Sequence, residues 1–188
     1  AKATDVLVAT VREGKGEADQ FAGVIGNVTA LSSQLGVSFN DVGAALAAQT
    51  RLGTDAETSA TQLQRIFTTL LKTTPASERA FESVGLSAAG LRKELKEKGL
   101  LEFLETIKER MGTNLPLLAQ AFGDQRAIRG VLALVGEQSD AVDAIFERMR
   151  SSSGSLDTAF GAVSHDNLQR FKQDLAEIEV DAVKLGTT

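Results

Sequence analysis

Apolar residues recur at three- and four-residue intervals along almost the whole of this chain, and nowhere do β-branched and polar residues alternate over the length of a strand. Side chains three and four apart share one helix face, whereas a half-buried strand needs a period of two, so the spacing predicts an all-α fold. The segment from Thr54 to Thr73 is the most regular. Leu63, Ile66, Phe67, Leu70 and Leu71 fall at i, i+3, i+4, i+7 and i+8, a single apolar stripe.

Helix ends are marked as clearly as helix faces. Thr54, with Glu57 three residues later, reads as a capping box in which each side chain accepts from the other's backbone N–H. Ser38 reads as an N-cap flanked by Val37 and Val42, the N′ and N4 positions of a hydrophobic staple; Ser87 stands in the same relation to Leu86 and Leu91. The passages Leu35-Gly36-Val37-Ser38 and Val84-Gly85-Leu86-Ser87 therefore predict corners, with Gly in the left-handed conformation that ends one helix just before Ser starts the next. The segments that follow them differ in length and pattern, so the chain is not an internal repeat. Pro75 and Pro116 sit at helix starts, where a missing N–H costs nothing.

Continued along the chain, this reading predicts helices over 3–13, 17–35, 39–52, 55–73, 76–84, 88–98, 100–111, 115–122, 125–135 and 138–150. Together, residues 1–150 form a compact multi-helix domain of short helices joined by Gly/Ser corners. The run Arg150-Ser151-Ser152-Ser153-Gly154-Ser155 predicts a hinge over 151–155. In 156–188, a longer C-terminal helical segment, Leu168, Phe171, Leu175, Ile178, Ala182 and Leu185 are spaced 3, 4, 3, 4 and 3 apart, the heptad character of a coiled-coil seam. Two outcomes stay open for these six residues: self-association or docking on another protein, or packing of a terminal helix on its own domain.

Composition narrows the function. With 43% hydrophobic and 24% charged residues, the chain is apolar enough to fold. Its longest aliphatic run, Val131 to Val135, is far below the roughly 20 residues of a membrane span. The start, Ala-Lys-Ala-Thr-Asp-Val, has no apolar run of the kind that opens a secretory signal. A net charge of −5 opposes sequence-specific binding of nucleic acid, whose affinity rests on Lys and Arg displacing counterions. The dense basic stretch Arg92 to Lys98 is interleaved with Glu, and Glu94 precedes Lys98 by four residues, as on a solvated helix face. The absence of Cys removes disulfides and thiolate metal sites and fits a reducing compartment.

Raw material for catalysis is scarce, with no Cys, Tyr or Trp and one histidine. Ser164-His165-Asp166 holds the residue types of a hydrolase triad, but adjacent side chains point in different directions and cannot form a relay. His165 and Asp166 instead suit the start of a helix. Gly14-Lys15-Gly16 lacks both the Walker spacing and a preceding strand, and reads as a flexible corner. Scattered acidic residues show no metal-ligand spacing. The expectation is therefore no catalytic residue, no metal and no cofactor.

Four passages in order raise the reading above a generic helical domain: Leu35-Gly-Val-Ser-Phe-Asn-Asp-Val-Gly-Ala-Ala-Leu46, Thr54-Asp-Ala-Glu-Thr-Ser-Ala-Thr-Gln-Leu-Gln-Arg65, Ala80-Phe-Glu-Ser-Val-Gly-Leu-Ser87 and Ala121-Phe-Gly-Asp-Gln-Arg-Ala-Ile-Arg-Gly-Val-Leu-Ala-Leu134. With the terminal segment after the Ser/Gly hinge, they resemble the core helical region of phage tail tape measure proteins, from about residue 31 to residue 185 and most closely over 35–150. Between Ser87 and Gly112 the chain is more compact than that pattern. The resemblance implies a fragment of a longer, non-enzymatic structural protein of the virion tail that sets tail length during assembly in the host cytoplasm and is released at DNA ejection. It implies tail tube, tail tip or baseplate proteins, tail assembly chaperones and further copies of itself as partners. A helical adaptor or scaffold unconnected with phage is the alternative. A lytic module of the kind some long tape measure proteins carry has little support in these residues.

Overall fold

The computed structural model describes residues 3–151. Within them lie ten α-helices and no strand: α1 (Ala3–Glu13), α2 (Ala18–Gln34), α3 (Phe39–Arg51), α4 (Ala56–Leu71), α5 (Pro75–Glu82), α6 (Ala88–Lys98), α7 (Leu100–Arg110), α8 (Leu115–Phe122), α9 (Gln125–Val135) and α10 (Ser139–Arg150). The periodicity placed all ten. The hinge beyond Ser151 and the seam Leu168, Phe171, Leu175, Ile178, Ala182 and Leu185 lie outside the described residues, as does His165.

α3 is the axis of the module. Every residue from Asp41 to Thr50 is buried, because α1, α2, α4, α7, α9 and α10 all pack against it. A helix surrounded in this way needs small side chains if its neighbours are to reach one another. α3 supplies Gly43, Ala44, Ala45, Ala47 and Ala48. At Gly43 the fit is closest: a Cβ there would stand 2.5 Å from Oγ1 of Thr10, 3.0 Å from Val6 and 3.2 Å from Met149, so α1 and α10 both cross α3 at this point.

α4 is buried differently. Leu63, Ile66, Phe67 and Leu70 are all at most 1% exposed, and α4 packs against α2 and α9. Leu71, the last member of the stripe, is only half-buried. α9 approaches α4 through Gly130, whose Cβ would meet Gln62 at 2.9 Å. On the far side, α5 and α8 pack together through Phe81 and Phe122, edge to face at 5.9 Å, and α6 pairs with α7.

The corners form as the sequence dictates. Gly36 and Gly85 have φ of 74° and 75°. The N–H after each closes back across the turn, Val37 to the Ser32 carbonyl and Leu86 to that of Phe81, both at 2.9 Å. Ser38 then accepts from Asp41 N–H and Ser87 from Gly90 N–H. The box expected at Thr54 does not form. The Thr54 N–H is taken by the Gln49 carbonyl (3.0 Å) in the turn that closes α3, and the cap passes to Asp55, whose carboxylate accepts from Thr58 N–H at 2.8 Å. Hydrogen bonds from Thr58 hold the Asp55 carboxyl below its ordinary range. The Gly14-Lys15-Gly16 corner is closed rather than open: a Cβ on Gly14 would meet Oγ1 of Thr50 at 2.8 Å, and Lys15 N–H donates to that oxygen at 3.1 Å.

Candidate interaction surface

Helix ends leave carbonyls without intrahelical partners, and here side chains from distant helices supply donors. Arg51 donates to the Glu13 carbonyl at the end of α1 (3.2 Å), Arg92 to Leu70 at the end of α4 (2.7 Å), Thr69 to Phe122 at the end of α8 (3.2 Å) and Asn40 to Met149 in the last turn of α10 (3.1 Å). The start of α7 is served the same way. Gly99 has no capping side chain, and the buried Asp41 of α3 accepts from Leu100 N–H at 3.2 Å.

The end of α10 is therefore held in place. Besides the Asn40 contact, Arg148 Nε lies 2.6 Å from Glu13 Oε2, and Arg12 Nε lies 3.0 Å from Glu13 Oε1. Burial alone would raise the Glu13 carboxyl, but the hydrogen bonds and positive charge of Arg148 and Arg12 outweigh it and hold it below the ordinary carboxylate range. α7 and α10 share an acidic face. Burial, then the charges of Glu102, Asp143 and Glu109, raise Glu105 against the opposing Lys108; burial, together with Asp140, raises Asp143 against the same lysine.

Most outward helix faces carry charge, for instance Glu57 and Arg65 on α4 and Lys93 and Lys96 on α6. α2 does not. In seventeen residues its one charged side chain is Asp19, in the first turn. Its exposed positions from Gly23 onward are Gly23, Gly26, Asn27, Ala30, Ser33 and Gln34. Ser33 turns its hydroxyl onto the Ala30 carbonyl (3.1 Å). Gly inside a helix costs about 1 kcal/mol relative to Ala. At Gly43 and Gly130 a neighbouring helix accounts for it, whereas among the described residues a Cβ on Gly23 or Gly26 would meet nothing within 4 Å. Among the described residues the one other uncharged surface helix is α8, eight residues long, where Leu115 is 56% exposed.

No group of three or more His, Asp or Glu among the described residues is placed to hold a metal, and none of the described helices is long and apolar enough to cross a membrane. Sequence reasoning singled out none of the α2 face, because small uncharged residues at helical spacing look the same whether they face a core or the solvent. The signal was available only as the missing charge.

Neither curated proteins nor solved structures give a match to this chain. The model of one family, phage-related minor tail protein, matches residues 1–123, which takes in α1 to α8 and stops before the α9 passage. With that much of its length matched, and α-helix the only regular structure where it is described, the chain belongs to the phage-related minor tail protein family.

Proposed function

We propose that this chain is a module of a tail tape measure protein, the long helical component that occupies the tail tube during assembly, fixes its length and leaves at DNA ejection. The observation that carries this reading is the family match over residues 1–123, falling on a unit built of helices alone. A helix advances 1.5 Å per residue, so its length translates directly into distance. In this role the module acts by touching other proteins and not by catalysis. Its partners are tail tube and tail tip or baseplate proteins, tail assembly chaperones in the host cytoplasm, and further copies of itself. Its place is the virion tail.

Electron microscopy of tails assembled with in-frame deletions in the long helical portion of the full-length protein tests this reading. Removing 60 residues should shorten the tail by roughly 90 Å at the helical rise. Tails of unchanged length refute the ruler role.

A further inference from the structure

We propose that α5 and α8 form a lobe that swings out as one unit on glycine joints while the helices around α3 stay folded. The inference is independent of the tape measure reading. Packing, joints and fastening each point to it.

The two helices pack chiefly on each other. α5 rests on α8, and α8 rests on α5 and on α9, the helix that follows it across Gly123 and Asp124. α3, by contrast, is enclosed on all sides. Phe81 and Phe122 are buried and meet edge to face within the pair, at 5.9 Å, so this contact travels with the lobe and is not broken when it opens.

The joints are free to turn. Gly85 after α5 (φ 75°), Gly112 before α8 (φ 54°) and Gly123 after α8 (φ 67°) all lie in the left-handed region. A Cβ on Gly85 or Gly123 would meet nothing within 4 Å, and one on Gly112 only the Lys108 carbonyl at 3.6 Å. Backbone with nothing against it rotates without displacing a neighbour, which is what a hinge needs. Gly36 and Gly99 are wedged instead: a Cβ there would stand 2.8 Å from Lys96 and 2.9 Å from the Asp41 carboxylate. Gly53 is as open as Gly85, but the helices it joins, α3 and α4, pack against each other.

The fastening is weak. Among the described residues, the polar ties between lobe and body are Ala88 N–H donating to the Glu78 carboxylate at 3.5 Å, the Thr69 hydroxyl donating to the Phe122 carbonyl at 3.2 Å, and the partly exposed pair of Arg65 with Asp124 at 3.8 Å. A hydrogen bond of 3.5 Å is at the limit of the interaction, and an ion pair open to water contributes little. Elsewhere the ties are shorter. Arg148 holds Glu13 at 2.6 Å and Arg92 holds the end of α4 at 2.7 Å. Opening of the lobe therefore leaves α10 clasped to α1 and α3.

Native-state amide exchange of the full chain, followed through low concentrations of denaturant, tests this. The expected result is one opening shared by the amides of α5 and α8, with a denaturant dependence smaller than that of α3 and α4. Separate openings for α5 and α8, or a single opening common to all four helices, overturn the proposal. Gly85→Ala and Gly123→Ala, each in the full chain, give a second reading. Alanine is strained at a positive φ and is relieved once the joint turns, so either variant should speed exchange about ten-fold in α5 and α8 alike. Gly123→Ala must therefore be felt in α5, and Gly85→Ala in α8, each far away in the sequence. Acceleration confined to the substituted helix means fraying of that helix end, and no acceleration means that the joint does not turn; either result overturns the proposal.

Discussion

α3 and α4 are consecutive helices packed against each other, yet they are buried by opposite means. α4 brings one stripe of large side chains and leaves its other face, with Glu57 and Arg65, to solvent. α3 brings alanines and a glycine and is enclosed on every side. The first strategy stabilises through the area of each side chain; the second, through the neighbours that its slenderness lets in. Around α3 the fastening is also polar: Asp41 caps α7, Asn40 holds the last turn of α10, and Arg51 holds the end of α1.

Substitutions that act on one strategy should spare the other. Phe67→Ala opens a cavity under the α4 stripe, where the ring is fully buried, and should cost about 3–5 kcal/mol in denaturant unfolding. A loss below about 1 kcal/mol would mean that α4 is not held by size. Ala45→Leu should destabilise by about 1–3 kcal/mol through overpacking, although Leu is nearly as good a helix former; a neutral result would show that α3 has space around it. Between the two helices, the Oε1 atoms of Gln49 and Gln62 are buried with no hydrogen-bond partner among the described residues. Gln62→Met keeps the volume, removes one such oxygen and should raise stability by about 1 kcal/mol; a fall would show that the amide makes a contact of its own.

The smallest effect concerns the polar fastening. The folded Glu13 carboxyl lies below its ordinary value, so the folded state binds fewer protons there than the unfolded chain. Its contribution is complete above the ordinary carboxylate value of 4.5 and is lost as pH falls through the lowered folded value. Both arginines are about half exposed, so Glu13→Gln should cost only about 1 kcal/mol at neutral pH. The variant should also show a shallower loss of stability below pH 4.5. An acid titration with the same slope as the parent would remove the clasp from consideration.

Much of this was legible in advance. Ser38 and Ser87 with Gly36 and Gly85 mark their corners because a cap and a left-handed residue are local requirements that tertiary packing rarely rewrites. Thr54 misled because Asp55 beside it is the stronger acceptor, and the Thr54 N–H was already needed to close α3. The central place of α3 could not be read from the sequence. Asp41, Gln49 and Thr50 make it look amphipathic, and the backbone partners of the Asp41 carboxylate, at Leu100, and of Gln49 Nε2, at Gly130, stand 59 and 81 residues away. The face of α2 was hidden for the converse reason, since Gly23 and Gly26 look like packing residues until burial shows that they face outward.

The Asn40 and Glu13 contacts at the end of α10 carry a mechanical consequence. A tug applied to the chain beyond Ser151 should not peel away a loose last helix. It arrives, through Arg148 and Met149, at α1 and α3, more than a hundred residues earlier in the sequence. The unit should resist such tension as one block and yield in a single step.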